Sequence, residues 1–209
     1  MSQSIEMKKR LKTIRAIAFE ADPQIFALFA NKPQISQSGV EYFHKAVSRR
    51  TGENEFLVQK SINKKDVGAR SNNSLLARTE PGVEYEVVKV PSTTLSDFLS
   101  DNDLTGRKYS AWIDVEGASE DVLRGADGEL QNCLSILIEV EQYPFWKGQW
   151  LFQDVSDYLV SRNFIPIARD FEYPKQFNVV YLQKGYLRND DIMDVLTGYF
   201  SAAGHPQEA

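Results

Sequence analysis

The sequence predicts an α/β protein built on a largely parallel sheet. Short apolar runs alternate with helical patterns along most of the 209 residues, and Gly, Pro, Asn and Asp fall between them as turn signals. Hydrophobic residues make up 42% and charged residues 25%, enough for a chain of this length to bury a sizeable core. One domain over residues 1–209 is expected, with residues 201–209 as a flexible tail.

Residues 13–20 (TIRAIAFE) read as a buried strand ending on the acid Glu20. Asp22-Pro23 then starts a helix, because Asp caps free N–H groups and Pro suits the first turn. Ile25, Phe26, Leu28 and Phe29 form its apolar stripe. Residues 39–48 read as a second strand, Gly52 as a turn and residues 55–59 as a short strand. Residues 61–83 are polar, with Gly68, Asn72, Asn73, Pro81 and Gly82. They read as a long loop or insertion, a kind of segment that often carries function. Residues 84–90 return to a strand, and Thr94 can cap a helix over 95–100 with Asp97 at its positive end.

The centre of the chain is the clearest unit. Residues 108–115 (KYSAWIDV) are a strand with Trp112 in the core, and Glu116-Gly117 is the turn after it. Ser119 is expected to cap a helix over 120–125. Residues 134–141 (LSILIEVE) are the next strand and 151–162 an amphipathic helix. Residues 164–168 and 177–182 close as an antiparallel hairpin across 173–175. Residues 190–200 read as a last amphipathic helix.

Composition sets several functions aside. The net charge of -5 makes the chain a poor general binder of nucleic acid. Lys8, Lys9, Arg10, Lys12 and Arg15 have no interleaved aromatics and read as a solvated helical face. The apolar stretch after them is too short for a secretory signal, and no membrane span is expected. The lone Cys133 excludes an internal disulfide and reads as a buried thiol, so a cytoplasmic protein is expected. His44 and His205 are the two histidines, too few for a zinc site, and no metal is expected. No G-x-S-x-G elbow and no phosphate-binding P-loop occur.

Acids at strand ends remain: Glu20, Asp114, Glu116, Glu139 and Glu141. Open parallel sheets bind ligands beyond the carboxyl ends of their strands, where a carboxylate can hold a ribose diol. Such acids also cap helices, so the pattern alone leaves both roles open.

The blocks AIAFEADPQIFALF, FHKAVS, PSTTLSDFL, WIDVEGASEDVLRGA and LIEVE, in this order, resemble those of the FkbM family of S-adenosylmethionine-dependent methyltransferases. IDVEG with the following VLRGA is the most specific part, and the resemblance runs from about Ala16 to Leu182. It implies a Rossmann-like class I methyltransferase fold and O-methylation of a hydroxyl on a small molecule or a glycan. It also implies that Glu20 holds the ribose hydroxyls, and that His44, Lys45 and Ala46 lie near the adenine. Asp114 would stand beside the methionine portion and the reacting methyl, and Glu116 would face the substrate. Asp114 is then the first candidate for the catalytic base and Glu116 the second. Ser74, in NNSLL, resembles a serine in the family's insertion.

The family opens with a strand and a D-x-G-A-x-x-G-like loop, which this sequence lacks. Met1 to Leu11 matches at best part of the helix that follows that loop. The first, central strand is therefore expected to be missing. Either the chain is a fragment, or a rearranged N-terminus, a partner chain or a second copy in a homodimer replaces the strand. The alternative to an enzyme is a non-catalytic interaction protein that keeps part of the fold.

Overall fold

The computed structural model describes Lys8 and residues 13–66, 72–170 and 173–186. The helix expected at 190–200, the tail at 201–209 and most of the basic N-terminal segment lie outside the described residues.

Strand β1 (Ala16–Glu20) leads through Asp22 into helix α1 (Pro23–Ala30), followed by the one-turn helix α2 (Pro33–Ser36). The Asp22 side chain accepts hydrogen bonds from the N–H groups of Gln24 and Ile25, the cap that the Asp-Pro pair predicts. Strand β2 (Val40–His44) returns parallel to β1, with Ala16 opposite Val40 and Glu20 opposite His44.

The expected strand over 39–48 is two strands. The chain bends at Lys45, whose N–H donates to the Phe43 carbonyl. Strand β3 (Ala46–Val47) then joins a different sheet, parallel to β6 (Val83–Thr93). Strand β4 (Gly52–Ile62) pairs antiparallel along β6, and the short β5 (Lys65–Asp66) pairs antiparallel with the end of β4. The five-residue strand read at 55–59 is thus the middle of an eleven-residue one. Its polar residues hid its length, because the exposed face is stitched by cross-strand ion pairs, Lys89 to Glu53 at 3.0 Å and Lys60 to Glu86.

After helix α3 (Leu95–Asp101), capped by the Thr94 hydroxyl on the Asp97 N–H, the third sheet begins. Its order is β7 (Tyr109–Ile113), β8 (Cys133–Glu141), β10 (Gln176–Gln183), β9 (Phe164–Arg169). Strands β7 and β8 are parallel, whereas β10 runs antiparallel to both β8 and β9. The fold is therefore mixed α/β, and the expectation of a mostly parallel sheet is corrected. The second sheet, β3-β6-β4-β5, is antiparallel except at β3, and the closing hairpin wedges β10 between β8 and β9. Strands β1 and β7 lie in different sheets, and no described strand pairs with the second edge of either.

Helix α4 (Ser119–Gly125) and helix α5 (Phe152–Ser161) cover one face of the third sheet. Leu123, Ile136, Ile138, Val155, Leu159 and Phe177 interlock there, each almost fully buried. A smaller core of Ala46, Phe56, Val58 and Val90 fills the second sheet. At the end of α4, Gly125 lies against the backbone after β3, where a Cβ would overlap the Ser48 carbonyl oxygen. Cys133 is 0% exposed, and burial pushes its thiol up to about 12.

Two local expectations are corrected. Ser119 is not the cap of α4: Ala118 holds that position, and the Ser119 hydroxyl is buried inside the helix without a partner. Trp112 is not core but 36% exposed, since it sits on the edge strand β7 and points away from the face that α4 and α5 cover. The fully buried tryptophan is Trp146, at 1% exposure.

Candidate active site

The carboxyl ends of β1 and β7 open onto one cleft of about 490 Å³, within the ordinary size of a small-molecule site. Glu20, Asp22, Asp114 and Glu116 all line it. Phe19, Ile25 and Phe29 supply apolar wall on the α1 side. Two strands that share no described hydrogen-bonded neighbour thus deliver their terminal acids to a common space.

On the β1 side, the chain turns sharply after Phe19. The Asp22 N–H donates to Glu20 Oε1 at 2.9 Å, and the Ala21 N–H also bonds the carboxylate. Burial raises the Glu20 carboxyl above its ordinary range, against the pull of these backbone bonds. Asp22 is only 2% exposed; its Oδ1 caps α1 and its Oδ2 accepts from Asn73 Nδ2 at 2.5 Å.

On the β7 side, Glu116 and Gly117 both occupy the left-handed region, at φ 50° and 82°. A non-glycine residue is disfavoured there by about 1–2 kcal/mol and persists only where its surroundings hold it. Two contacts hold this turn. The Ser74 hydroxyl donates to the Glu116 carbonyl at 2.7 Å. The Trp146 ring presses on Gly117 so closely that a Cβ would lie 2.8 Å from it.

The electrostatics follow from crowding. Asp114 is reached by water along the open cleft, yet it lies deep enough among protein atoms that burial raises its carboxyl. A concave wall produces both observations at once. Glu116 is pushed up to about 7, by burial first and then by Glu139 and Asp114, with Arg78 opposing. Its Oε2 is buried with no hydrogen-bond partner. On β8, burial and the neighbouring Asp114 push Glu139 up to about 7, although Gln176 donates to it at 2.8 Å. Burial also pushes Glu141 up to about 7, with Glu139 and Glu116 adding to it, while Gln149 donates to it at 2.9 Å. Four carboxyl groups on the ends of β7 and β8 therefore share fewer than four negative charges near neutrality. The Arg78 guanidinium stacks over Trp146 at 4.8 Å and Phe145 at 5.5 Å, beside this group.

Not every residue singled out from the sequence reaches the cleft. Lys45 and Ala46 line it. His44 does not: its Nε2 lies 3.2 Å from the Ala21 carbonyl and its ring stacks on Phe26 at 4.9 Å. Asn73, Arg78, Gln149 and Gln176 were missed as partners of the acids. Only the cluster of turn residues in the insertion hinted at Asn73. Among the described residues, no group of three or more His, Cys, Asp or Glu could hold a metal ion. No helix among them is long and apolar enough to cross a membrane.

The sequence matches the family model of the methyltransferase FkbM domain over residues 3–166. The chain belongs to this family. No curated protein and no solved structure matches it. The FkbM domain match covers β1 through β8 and reaches into β9, so it includes every acid at the cleft. It ends before β10, the strand whose Gln176 steadies Glu139.

Proposed function

We propose that the cleft binds S-adenosylmethionine and that the chain methylates a hydroxyl oxygen on a small molecule or a glycan. The observation that carries this reading is the convergence of Glu20, Asp114 and Glu116 on one cleft from two separate sheets. When bound, the cofactor supplies an electrophilic methyl group on a positively charged sulfur, whose carbon–sulfur electron pair stays with the sulfur.

The residues present suit that molecule. Glu20 lines the cleft, where its carboxylate can accept from a ribose hydroxyl. Phe19, Ile25 and Phe29 offer an apolar wall for a flat base, and Ala46 lines the same cleft. Asp114 offsets the positive sulfur from the water-reached side of the cleft. Glu116 is the better base for the acceptor hydroxyl: its carboxyl is pushed up to about 7, near the working pH, and its Oε2 has no other partner. We therefore assign proton removal to Glu116 and charge compensation to Asp114, reversing the order that the sequence suggested. His44 supports the β1 corner rather than touching the cofactor, and Ala46 keeps its place beside it.

A second cleft of about 510 Å³ adjoins the first and shares Leu75 and Ala118 with it. Arg50, Asn54 and Glu55 line it, and it passes Gly117, the neighbour of the base. Its mixed donors and acceptors suit a hydroxyl-rich acceptor.

Calorimetric titration with S-adenosylmethionine tests the reading. Heat with one-to-one binding is expected, and Glu20→Ala should weaken it by about 1–3 kcal/mol, the loss of a charge-assisted hydrogen bond. No heat and no thermal shift at millimolar cofactor would remove the enzyme reading. The edges of β1 and β7 that no described strand pairs would then favour an interaction module.

A further inference from the structure

We propose that the dipeptide Asn73-Ser74 sets the width of the acid-lined cleft, so that both are positioning residues, one for each wall. The catalytic side of this role rests on the reading given above. The two walls end β1 and β7, which belong to sheets with no described hydrogen-bonded strand between them. Backbone ladders fix spacing within a sheet but not across such a gap. Another device has to hold Glu20 and Glu116 at a constant separation.

Asn73 and Ser74 make bonds to three elements. Asn73 Nδ2 donates to Asp22 Oδ2 at 2.5 Å, and its Oδ1 accepts from the Gln59 N–H at 2.8 Å. Asp22 is the same residue that caps α1 and whose N–H holds Glu20. Ser74 exchanges backbone bonds with Leu57, at 2.8 and 3.2 Å. Its hydroxyl donates to the Glu116 carbonyl at 2.7 Å and accepts from the Leu76 N–H at 3.1 Å. The dipeptide is thus fixed to β4 by its middle and grips one wall with each side chain. Successive side chains on extended backbone point to opposite sides, which is what a two-sided strut needs.

The bonds are placed to last. Ser74 and Asp22 are each 2% exposed, so water does not compete for them. The Asn73 to Asp22 bond is charge-assisted, the stronger kind. Each bond also acts through a functional neighbour. The Ser74 hydroxyl opposes relaxation of Glu116 out of its left-handed backbone, which would swing the carboxyl toward water. Asn73 holds the Asp22 turn, whose N–H fixes the orientation of Glu20.

Two variants separate the struts. Ser74→Ala deletes the bond to Glu116 and leaves the Leu57 pairing. Asn73→Asp keeps the acceptor for Gln59 but puts an oxygen against Asp22. Side-chain carboxyl titration by carbon-13 NMR reads Glu116, with Glu116→Gln assigning its signal, and calorimetry reads S-adenosylmethionine binding. In Ser74→Ala the Glu116 titration should fall by about one pH unit toward the ordinary carboxylate range. Ser74→Thr, which keeps the hydroxyl, should restore it. In Asn73→Asp the dissociation constant for S-adenosylmethionine should rise by about tenfold, one lost charge-assisted bond, with Glu116 titrating as in the wild type. If Ser74→Ala does not fold, Ser74→Cys gives the same reading with a weakened donor. Variants that lower the melting temperature yet leave both readouts at wild-type values would overturn the proposal. A wild type that binds no S-adenosylmethionine would sink the methyltransferase reading, while the Ser74→Ala titration would still decide the strut.

Discussion

Glu116→Gln is expected to lower turnover by about a hundredfold to ten-thousandfold, the usual worth of a positioned general base, while leaving the melting temperature at or above that of the wild type. The two halves have one cause. Burial, Glu139 and Asp114 push the Glu116 carboxyl up to about 7, so the folded chain keeps a proton that the unfolded chain releases near its ordinary value of 4.5. Stability is then lost as pH rises from about 4.5 to about 7 and stays low above that, because the unfolded state binds fewer protons across this window. Glutamine has nothing to ionise and removes that loss. Activity runs the other way, because only the ionised form accepts a proton. With the acceptor that the wild type methylates, kcat/KM should climb with pH through about 7, and the residual rate of the variant should lack that limb. The limb belongs to the coupled set of Asp114, Glu116, Glu139 and Glu141 rather than to one residue. Wild-type turnover in Glu116→Gln, or the same limb retained, would move the base to Asp114.

Gly125→Ala should destabilise the fold by about 2–3 kcal/mol, the cost of forcing an extra carbon into a packed contact. Helix propensity alone predicts the opposite sign, since alanine is favoured over glycine in a helix interior by about 1 kcal/mol. Packing wins because the new Cβ would meet the Ser48 carbonyl, a backbone atom that no rotamer change can move aside. Either α4 or the β3 exit must shift, and α4 begins two residues after Gly117 in the turn that carries Glu116. A chain of this size should lose about 4–12 °C in melting temperature. An unchanged or raised value would mean that α4 slides along the sheet without resistance.

Local chemistry was legible from the sequence where one residue decides one feature. Asp22-Pro23 started α1, Thr94 capped α3, and the acids after β1 and β7 marked the cleft. Features set by distant partners were not. Ser119 carries the right atom for a cap, but α4 begins one residue earlier than its pattern implies. Trp112 has the largest side chain of its strand, yet the alternation set by Ala111 and Ile113 turns it outward. The length of β4 was hidden because Glu53 and Lys60 look like loop residues until Lys89 and Glu86 pair with them diagonally across the ladder. In the site, Glu20, Asp114 and Glu116 could be named, and Ser74 by resemblance, but not which side chains bond the acids. Asn73, Ser74 and Gln176 reach the acids only because β4 and β10 fold back from elsewhere in the chain.

The single thiol gives the molecule a chemical clock for its own opening. Cys133 starts β8, the strand that pairs with both β7 and β10, so no reagent reaches it without parting the third sheet or its covering helices. Its reactive thiolate form is scarce at neutral pH for the same reason. Alkylation should therefore proceed at the rate set by large-scale breathing, not by surface collision. One dye-labelling time course would then rank the kinetic durability of any variant without heat or denaturant.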